Sequence, residues 1–275
     1  MRYVKVGSGP TLVLLHTLRT QLDIFQEVIP RLQSSFTVYA LDYPGHGWSD
    51  LPRVDYHPEQ VYGWVERFLE KADIREATLA GMSIGGTIAL ELAARDNPRV
   101  SRVVSINPFD YESSYSADLK GSSALAHVIF STTPVPFLGE AVTRMRNDVV
   151  ERKLFESGVT NPEALSDSFF RELVNSGNRQ GHARGFISLL RQAHHWQDAR
   201  RSYANISMPV LLIYGDQDWP PEHERQWTMS LISDAQSAIV EEGGHFLTLD
   251  QSQKVAQLIL NFASSNSGER IAQSP

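Results

Sequence analysis

The sequence predicts an α/β protein: a mainly parallel, twisted sheet flanked by helices, with a helical lid inserted late in the sheet. Three observations predict it. Short β-branched runs alternate with helix-period segments from Tyr3 to Ala94 and again after Pro209. Such alternation builds a parallel sheet covered on both faces, because each crossover lays a helix on a face. Between Pro108 and about Ile206 the alternation stops and the recurring patterns, such as Phe169–Leu173 and Phe186–Leu190, are helical. Finally, Gly81-Met82-Ser83-Ile84-Gly85 lies where one β-type run gives way to a helical one.

Taken in order, Tyr3–Val6 and Thr11–Leu15 are β-type runs separated by Gly7-Ser8-Gly9-Pro10, which reads as a hairpin. Ile24, Phe25, Val28, Ile29 and Leu32 then recur at helical spacing. Phe36–Leu41 is a strand ending at Asp42, before the turn Pro44-Gly45-His46-Gly47. Val61, Trp64, Val65, Phe68 and Leu69 mark a second amphipathic helix. Ala77–Ala80 is a short strand and Thr87–Ala94 a buried helix. Val100–Ile106 and Pro209–Tyr214 are β-branched strands, and Ala238–Val240 is a weaker one. The predicted division is a core of 1–108 and 207–264, a lid of 109–206, and a tail of 265–275 too polar to pack.

Composition narrows the function classes. The 275-residue chain is 41% hydrophobic and 21% charged, the profile of an ordinary globular protein. Its formal net charge of -7 argues against nucleic acid or an anionic membrane as partner, since either calls for a basic face. It contains no cysteine, which excludes disulfides, thiolate nucleophiles and Cys-ligated metals. No apolar run approaches the roughly 20 residues that span a bilayer. The short run Leu12–Leu15 after Gly7-Ser8-Gly9-Pro10 makes a poor signal peptide, so a cytoplasmic location is expected. Oligomeric state is not legible.

The chemistry centres on Ser83. A Gly-x-Ser-x-Gly match is weak evidence by itself; its position between a strand and a helix gives it weight. A sharp turn there holds the serine in a strained conformation, and small neighbours let the backbones clear one another. The following helix then aims free amides and its positive dipole end at a developing oxyanion. A serine alcohol needs a base at neutral pH, and the base needs an orienting group. Leu211–Tyr214 runs into Gly215-Asp216-Gln217-Asp218, and Glu242-Gly243-Gly244-His245 follows the next strand. These supply an acid and a base in the order Ser, Asp, His.

With those motifs, the sequence resembles the α/β-hydrolase superfamily, in its lidded branch of esterases, C–C hydrolases and cofactor-free haloperoxidases. The resemblance extends to about Ala263. It implies Ser83 as nucleophile, His245 as base and Asp218 as acid. Asp216 is the adjacent rival, and Asp110, after the preceding strand, matches the acid position of some relatives. The family's oxyanion loop ordinarily reads His-Gly-x; His16-Thr17-Leu18 matches it, which implies the amides of Leu18 and Ile84 as donors. Thr17 departs from that glycine: its hydroxyl is either a further donor in the substrate site or an obstruction. Arg19 either clamps a substrate carboxylate bidentately or pairs with a lid acid such as Glu140 or Asp148. Relatives ordinarily place another strand before Tyr3–Val6, so the resemblance implies either a sheet short of an edge strand or a sequence that begins after that strand.

Other conspicuous residues read as structural. Asp42–Ser49 resembles a family turn, and His46 in it is a hydrogen-bonded turn residue. Gly45-x-Gly47 lacks the third glycine of a dinucleotide site, and no cofactor is implied. Adjacent His194 and His195 diverge on a helix and make a poor metal pair, so no metal is expected. Phe130, Phe137, Phe170, Phe186 and Trp196 are lid aromatics that either pack the lid or line a pocket.

The function expected is hydrolysis of an ester, thioester or C–C bond next to a carbonyl of a small molecule, through an acyl-enzyme and without a cofactor. Serine at position 83 argues against an aspartate nucleophile. A perhydrolase or lyase on the same residues stays open, as does a ligand-binding or receptor-like protein with little turnover, because fold does not fix function.

Overall fold

The structure, a computed structural model, describes residues 1–111, 124–144 and 147–264. The predicted tail, 265–275, and parts of the predicted lid, 112–123 and 145–146, lie outside the described residues. The strands are β1 (Tyr3–Gly7), β2 (Thr11–Leu15), β3 (Thr37–Leu41), β4 (Ala77–Met82), β5 (Val100–Ile106), β6 (Val210–Gly215) and β7 (Gln236–Val240). They form one seven-stranded sheet in the order β1-β3-β2-β4-β5-β6-β7. Only β1 runs antiparallel to its neighbour. All six residues of β4 and all six of β6 are buried, which is why those runs are continuously apolar rather than alternating.

The core helices are α1 (Ile29–Leu32), α2 (Pro58–Lys71) and α3 (Ile84–Ala94). Between β5 and β6 come α4 (Ala124–Thr132), α5 (Leu138–Arg144), α6 (Asp148–Glu156), α7 (Asp167–Gly177), α8 (His182–Arg191) and α9 (Ala193–Gln197). The chain closes with α10 (Glu222–Leu231), α11 (Leu247–Asp250) and α12 (Ser252–Ser264). The insertion between β5 and β6 is thus helical, with no strand among its described residues. Its last part is fastened to the core: Trp196 packs edge-on against Tyr62. Buried Arg200, on the 3-10 helix Asp198–Asn205, pairs with Asp110 and Glu224.

Two sequence expectations are corrected. Tyr3–Gly7 does not form a hairpin with Thr11–Leu15; it pairs antiparallel with Thr37–Leu41. β2 has no vacant edge to offer, because β3 and β4 occupy both. The Ser8–Pro10 linker instead passes over the start of β3, where Thr37 N–H donates to the carbonyl of Pro10. The helical spacing from Ile24 to Leu32 yields only a 3-10 turn, Leu22–Phe25, and the single turn of α1. Pro30 has no N–H to continue a helix back to Gln26, so the helix must restart around it.

Between β2 and β4 the strand order reverses direction, since β3 lies to one side of this pair and β5 to the other. In such sheets the crevice beyond the carboxyl ends at the reversal is where ligands bind. The residues leaving β2 are His16 to Arg19, and the residue leaving β4 is Ser83. No helix among the described residues is long and apolar enough to cross a membrane.

Candidate active site

Ser83 takes a conformation that L-residues avoid, with φ 54° and ψ -119°. Such a residue costs on the order of 1–3 kcal/mol and persists only where its surroundings impose it. Here its N–H donates to the carbonyl of Ile106 (2.8 Å), and its carbonyl accepts from Phe109 N–H (3.2 Å). The turn is so tight that a Cβ on Gly81 would lie 2.0 Å from the carbonyl oxygen of Gly85. One on Gly85 would lie 2.1 Å from the carbonyl oxygen of Leu15. Both positions of the motif therefore demand glycine for space, not for φ. As the first residue of α3, Ile84 carries an amide with no partner inside the helix.

The structure brings Ser83, His245 and Asp218 together. Ser83 Oγ is 3.2 Å from Nε2 of His245, and Nδ1 of His245 is 2.7 Å from Oδ1 of Asp218. That same oxygen accepts from Trp219 N–H at 2.8 Å. It is thus an acceptor, so the imidazole carries its hydrogen on Nδ1 and turns the lone pair of Nε2 toward the hydroxyl. All three side chains are buried.

The rival acids are placed elsewhere. Asp216 Oδ1 accepts from Gly243 N–H (3.0 Å) and so braces the turn that carries His245. Asp110 lies among Arg200 and Thr228, and burial raises its carboxyl above the ordinary range against the opposing pull of Arg200.

Three further residues set this geometry and escaped the sequence reading. Asn107 donates from Nδ2 to the carbonyls of Gly244 and His245, each at 3.0 Å, and accepts from Gly215 N–H at 3.0 Å. One buried amide thus ties the acid-bearing and histidine-bearing turns together. Asp250 accepts from the amides of Gly244, Thr160 and Asn161, which fixes the histidine turn to the insertion. Trp219 stacks on the imidazole, and its Nε1–H donates to the carbonyl of Ser157 (3.1 Å). The only sequence signal for Asn107 and Trp219 is position: each follows a strand at its carboxyl end.

The loop after β2 is anchored by His16. Its Nδ1–H donates to the carbonyl of Thr17 (2.7 Å), and its Nε2 accepts from Tyr43 N–H (3.2 Å). Complete burial lowers its pKa from 6.5 to about 3, so the ring is neutral in both roles. His46, in the turn after β3, is likewise lowered to about 3 by burial.

A pocket opens over Ser83. Thr17, Leu18 and Arg19 come from the loop after β2, Trp219, His245 and Phe246 from the segments after β6 and β7, and Phe109, Tyr111, Phe130, Leu154 and Phe155 from the segment between β5 and β6. Leu18 therefore lines the pocket, whereas Ile84 is not among its lining side chains. Of the five lid aromatics only Phe130 lines it. Phe137 is 89% exposed, while Phe170, Phe186 and Trp196 are buried in packing. Arg19 (φ 59°) pairs through Nη2 with Oε1 of Glu151 at 3.1 Å, and its guanidinium lies 4.7 Å from the Phe186 ring centre. The lid acid is thus Glu151 rather than Glu140, which pairs with Arg191. No group of three or more His, Asp or Glu side chains among the described residues is arranged to hold a metal.

The profile of the alpha/beta hydrolase fold family matches residues 10–252. The chain is 27% identical over 281 residues to the pimeloyl-[acyl-carrier protein] methyl ester esterase of Nitrosospira multiformis, covering 94% of this chain and 96% of that protein. It is 28% identical over 222 residues to 3-oxoadipate enol-lactonase 2 of Acinetobacter baylyi, covering 79% and 76%. Among solved structures, Cfl2 from Burkholderia cenocepacia shares the fold with a TM-score of 0.86 at 24% identity, covering 94% of this chain and 90% of that one.

Proposed function

The chain belongs to the alpha/beta hydrolase fold family, and from that premise we propose that it is a serine hydrolase. In this reading it cleaves an ester, thioester or C–C bond beside a carbonyl of a small molecule, through an acyl-enzyme. The observation that carries the reading is the unbroken run of contacts from Asp218 through His245 to Ser83, ending at the floor of a pocket.

His245 Nε2 takes the hydroxyl proton as Ser83 Oγ attacks the carbonyl carbon. Asp218 holds the imidazole in the required tautomer and stabilises the imidazolium. The amides of Leu18 and Ile84 donate to the oxyanion; a donor in this role typically contributes about 10²–10³-fold in kcat. The imidazolium then protonates the leaving group, and neutral His245 activates water to release the acid. The helices of 109–206 act as a lid that keeps bulk water from the acyl-enzyme. The esterase and lactonase activities of the two relatives are both acyl transfers to water and favour this reaction class.

The test is a panel of p-nitrophenyl esters and vinylogous diketones assayed with wild type and Ser83→Ala. The reading expects at least a ~10³-fold loss on the variant for whichever substrate wild type turns over. Residual activity above about a tenth of wild type would refute it. Tight binding of pocket ligands with no turnover of any member would instead favour a receptor-like protein.

A further inference from the structure

Resting on the serine-hydrolase reading, we propose that the hydroxyl of Thr17 is a third donor to the oxyanion, beside the amides of Leu18 and Ile84. The juxtaposition that points there is Thr17 with Leu18 and Ser83 on the lining of one pocket. Thr17 is 2% exposed, and no described residue hydrogen-bonds to its hydroxyl. Its carbonyl, by contrast, accepts from His16 Nδ1–H at 2.7 Å, from Thr20 Oγ1–H at 2.9 Å and from Thr20 N–H at 3.4 Å. The backbone that carries the hydroxyl is therefore fixed. The left-handed residue of this loop is Arg19 (φ 59°); Thr17 has no positive φ and so no need of glycine.

Covalent geometry pairs the hydroxyl with the neighbouring amide. Oγ1 of Thr17 and the nitrogen of Leu18 branch from the same Cα, one through Cβ and one through the carbonyl carbon, so a single acceptor is within reach of both. The branched Cβ of threonine restricts χ1, and little freedom is lost in aiming the hydroxyl. The approach to this loop also touches the nucleophile's helix: a Cβ on Gly85 would lie 2.1 Å from the carbonyl oxygen of Leu15 and 2.7 Å from that of His16. As Ser83 Oγ bonds to the carbonyl carbon, its proton passes to His245 and the C=O π pair moves onto oxygen. That oxygen becomes an anion and a stronger acceptor, and it reverts when the leaving group is expelled. A fixed donor there acts on the transition state more than on bound substrate. Most of the surrounding lining is aromatic or aliphatic, where such a bond is weakly screened.

The test compares wild type, Thr17→Val and Thr17→Ser on p-nitrophenyl esters and their thiono counterparts. In the latter C=S replaces C=O, and the developing anion is a poor acceptor. Thr17→Val keeps the shape and loses the hydroxyl, so kcat on the oxygen ester should fall at least about tenfold, with KM within about threefold. The preference for oxygen over thiono ester should shrink at least about threefold, a change that a packing role does not produce. Thr17→Ser should recover most of both losses. Phenylboronic acid, whose tetrahedral adduct with Ser83 puts an oxygen in the oxyanion position, should bind Thr17→Val at least about tenfold more weakly in calorimetry. Where wild type cleaves only the diketones, their kcat and this affinity decide. Should Thr17→Val fail to fold, Thr17→Ser against Thr17→Ala makes the same comparison. An unchanged kcat, an equal loss on oxygen and thiono esters, or unweakened boronate binding overturns the proposal. Failure of the wider reading looks different: no substrate is turned over above Ser83→Ala, the boronic acid binds that variant as well as wild type, and the proposal falls with the reading.

Discussion

Trp219 lies flat on the imidazole of His245, with ring centres 4.1 Å apart and planes 9° from parallel. The same residue donates its backbone N–H to Asp218 and its indole N–H to Ser157 of the insertion. Trp219 thus touches His245 through its ring, Asp218 through its backbone and the insertion through its indole N–H. Trp219→Leu is expected to lower kcat by about an order of magnitude, because small losses of alignment cost rate steeply. Steady-state kinetics on the best ester checks this; an unchanged kcat would assign Trp219 to packing alone.

The two aspartates of the Gly215-Asp216-Gln217-Asp218 turn are expected to behave differently. Asp218→Asn should reduce kcat by roughly 10⁴-fold, since the amide holds the wrong tautomer of His245. Asp216→Asn keeps an oxygen to accept from Gly243 N–H, so its kcat should stay within a few-fold of wild type. The reverse ranking would move the acid role to Asp216.

Asn107 is expected to be a stability residue with a kinetic signature. Asn107→Ala removes bonds to Gly244, His245 and Gly215 and leaves buried backbone groups unpaired. A loss of about 2–4 kcal/mol in urea unfolding follows, with a fall in kcat larger than any change in KM. A variant as stable and active as wild type would show that the two turns hold their positions without it.

What was legible in the sequence, and what was not, follows from how local the cause is. The motif Gly81–Gly85 needs glycine because backbones collide within a few residues, so pattern reading finds it. The order Ser, Asp, His follows strand ends and is equally readable. The pairing of β1 is not legible locally, since it depends on which edges of β2 are already taken by β3 and β4. The spacing from Ile24 to Leu32 suggests one helix, but Pro30 breaks it into a 3-10 turn and a single helical turn. The partner of Arg19 lies 132 residues away on α6, and no spacing rule singles out Glu151 over Glu140. Asn107 and Trp219 escaped because their work is done across the loops of several strands.

Stability should depend on pH through His16 and His46. Both have folded pKa values of about 3, against 6.5 ordinarily, because burial disfavours the charged ring. The unfolded chain thus binds more protons than the folded one between about pH 3 and 6.5. Stability is complete above 6.5 and falls as the pH is lowered through that window, at up to ~1.4 kcal/mol per pH unit for each ring. Melting temperatures between pH 7 and 4 measure it, and His16→Asn should flatten the slope. A melting temperature that rises on acidification over this range would contradict the burial of neutral rings.

The central claim, that Ser83 is an activated nucleophile, is tested most directly by labelling with a fluorophosphonate probe and locating the adduct by tandem mass spectrometry. The account predicts one adduct per chain, on Ser83, formed promptly in wild type. It predicts much slower labelling in His245→Ala and none at position 83 in Ser83→Ala. A Ser83 that stays unmodified in folded wild-type protein under conditions that label a reference serine hydrolase would contradict it.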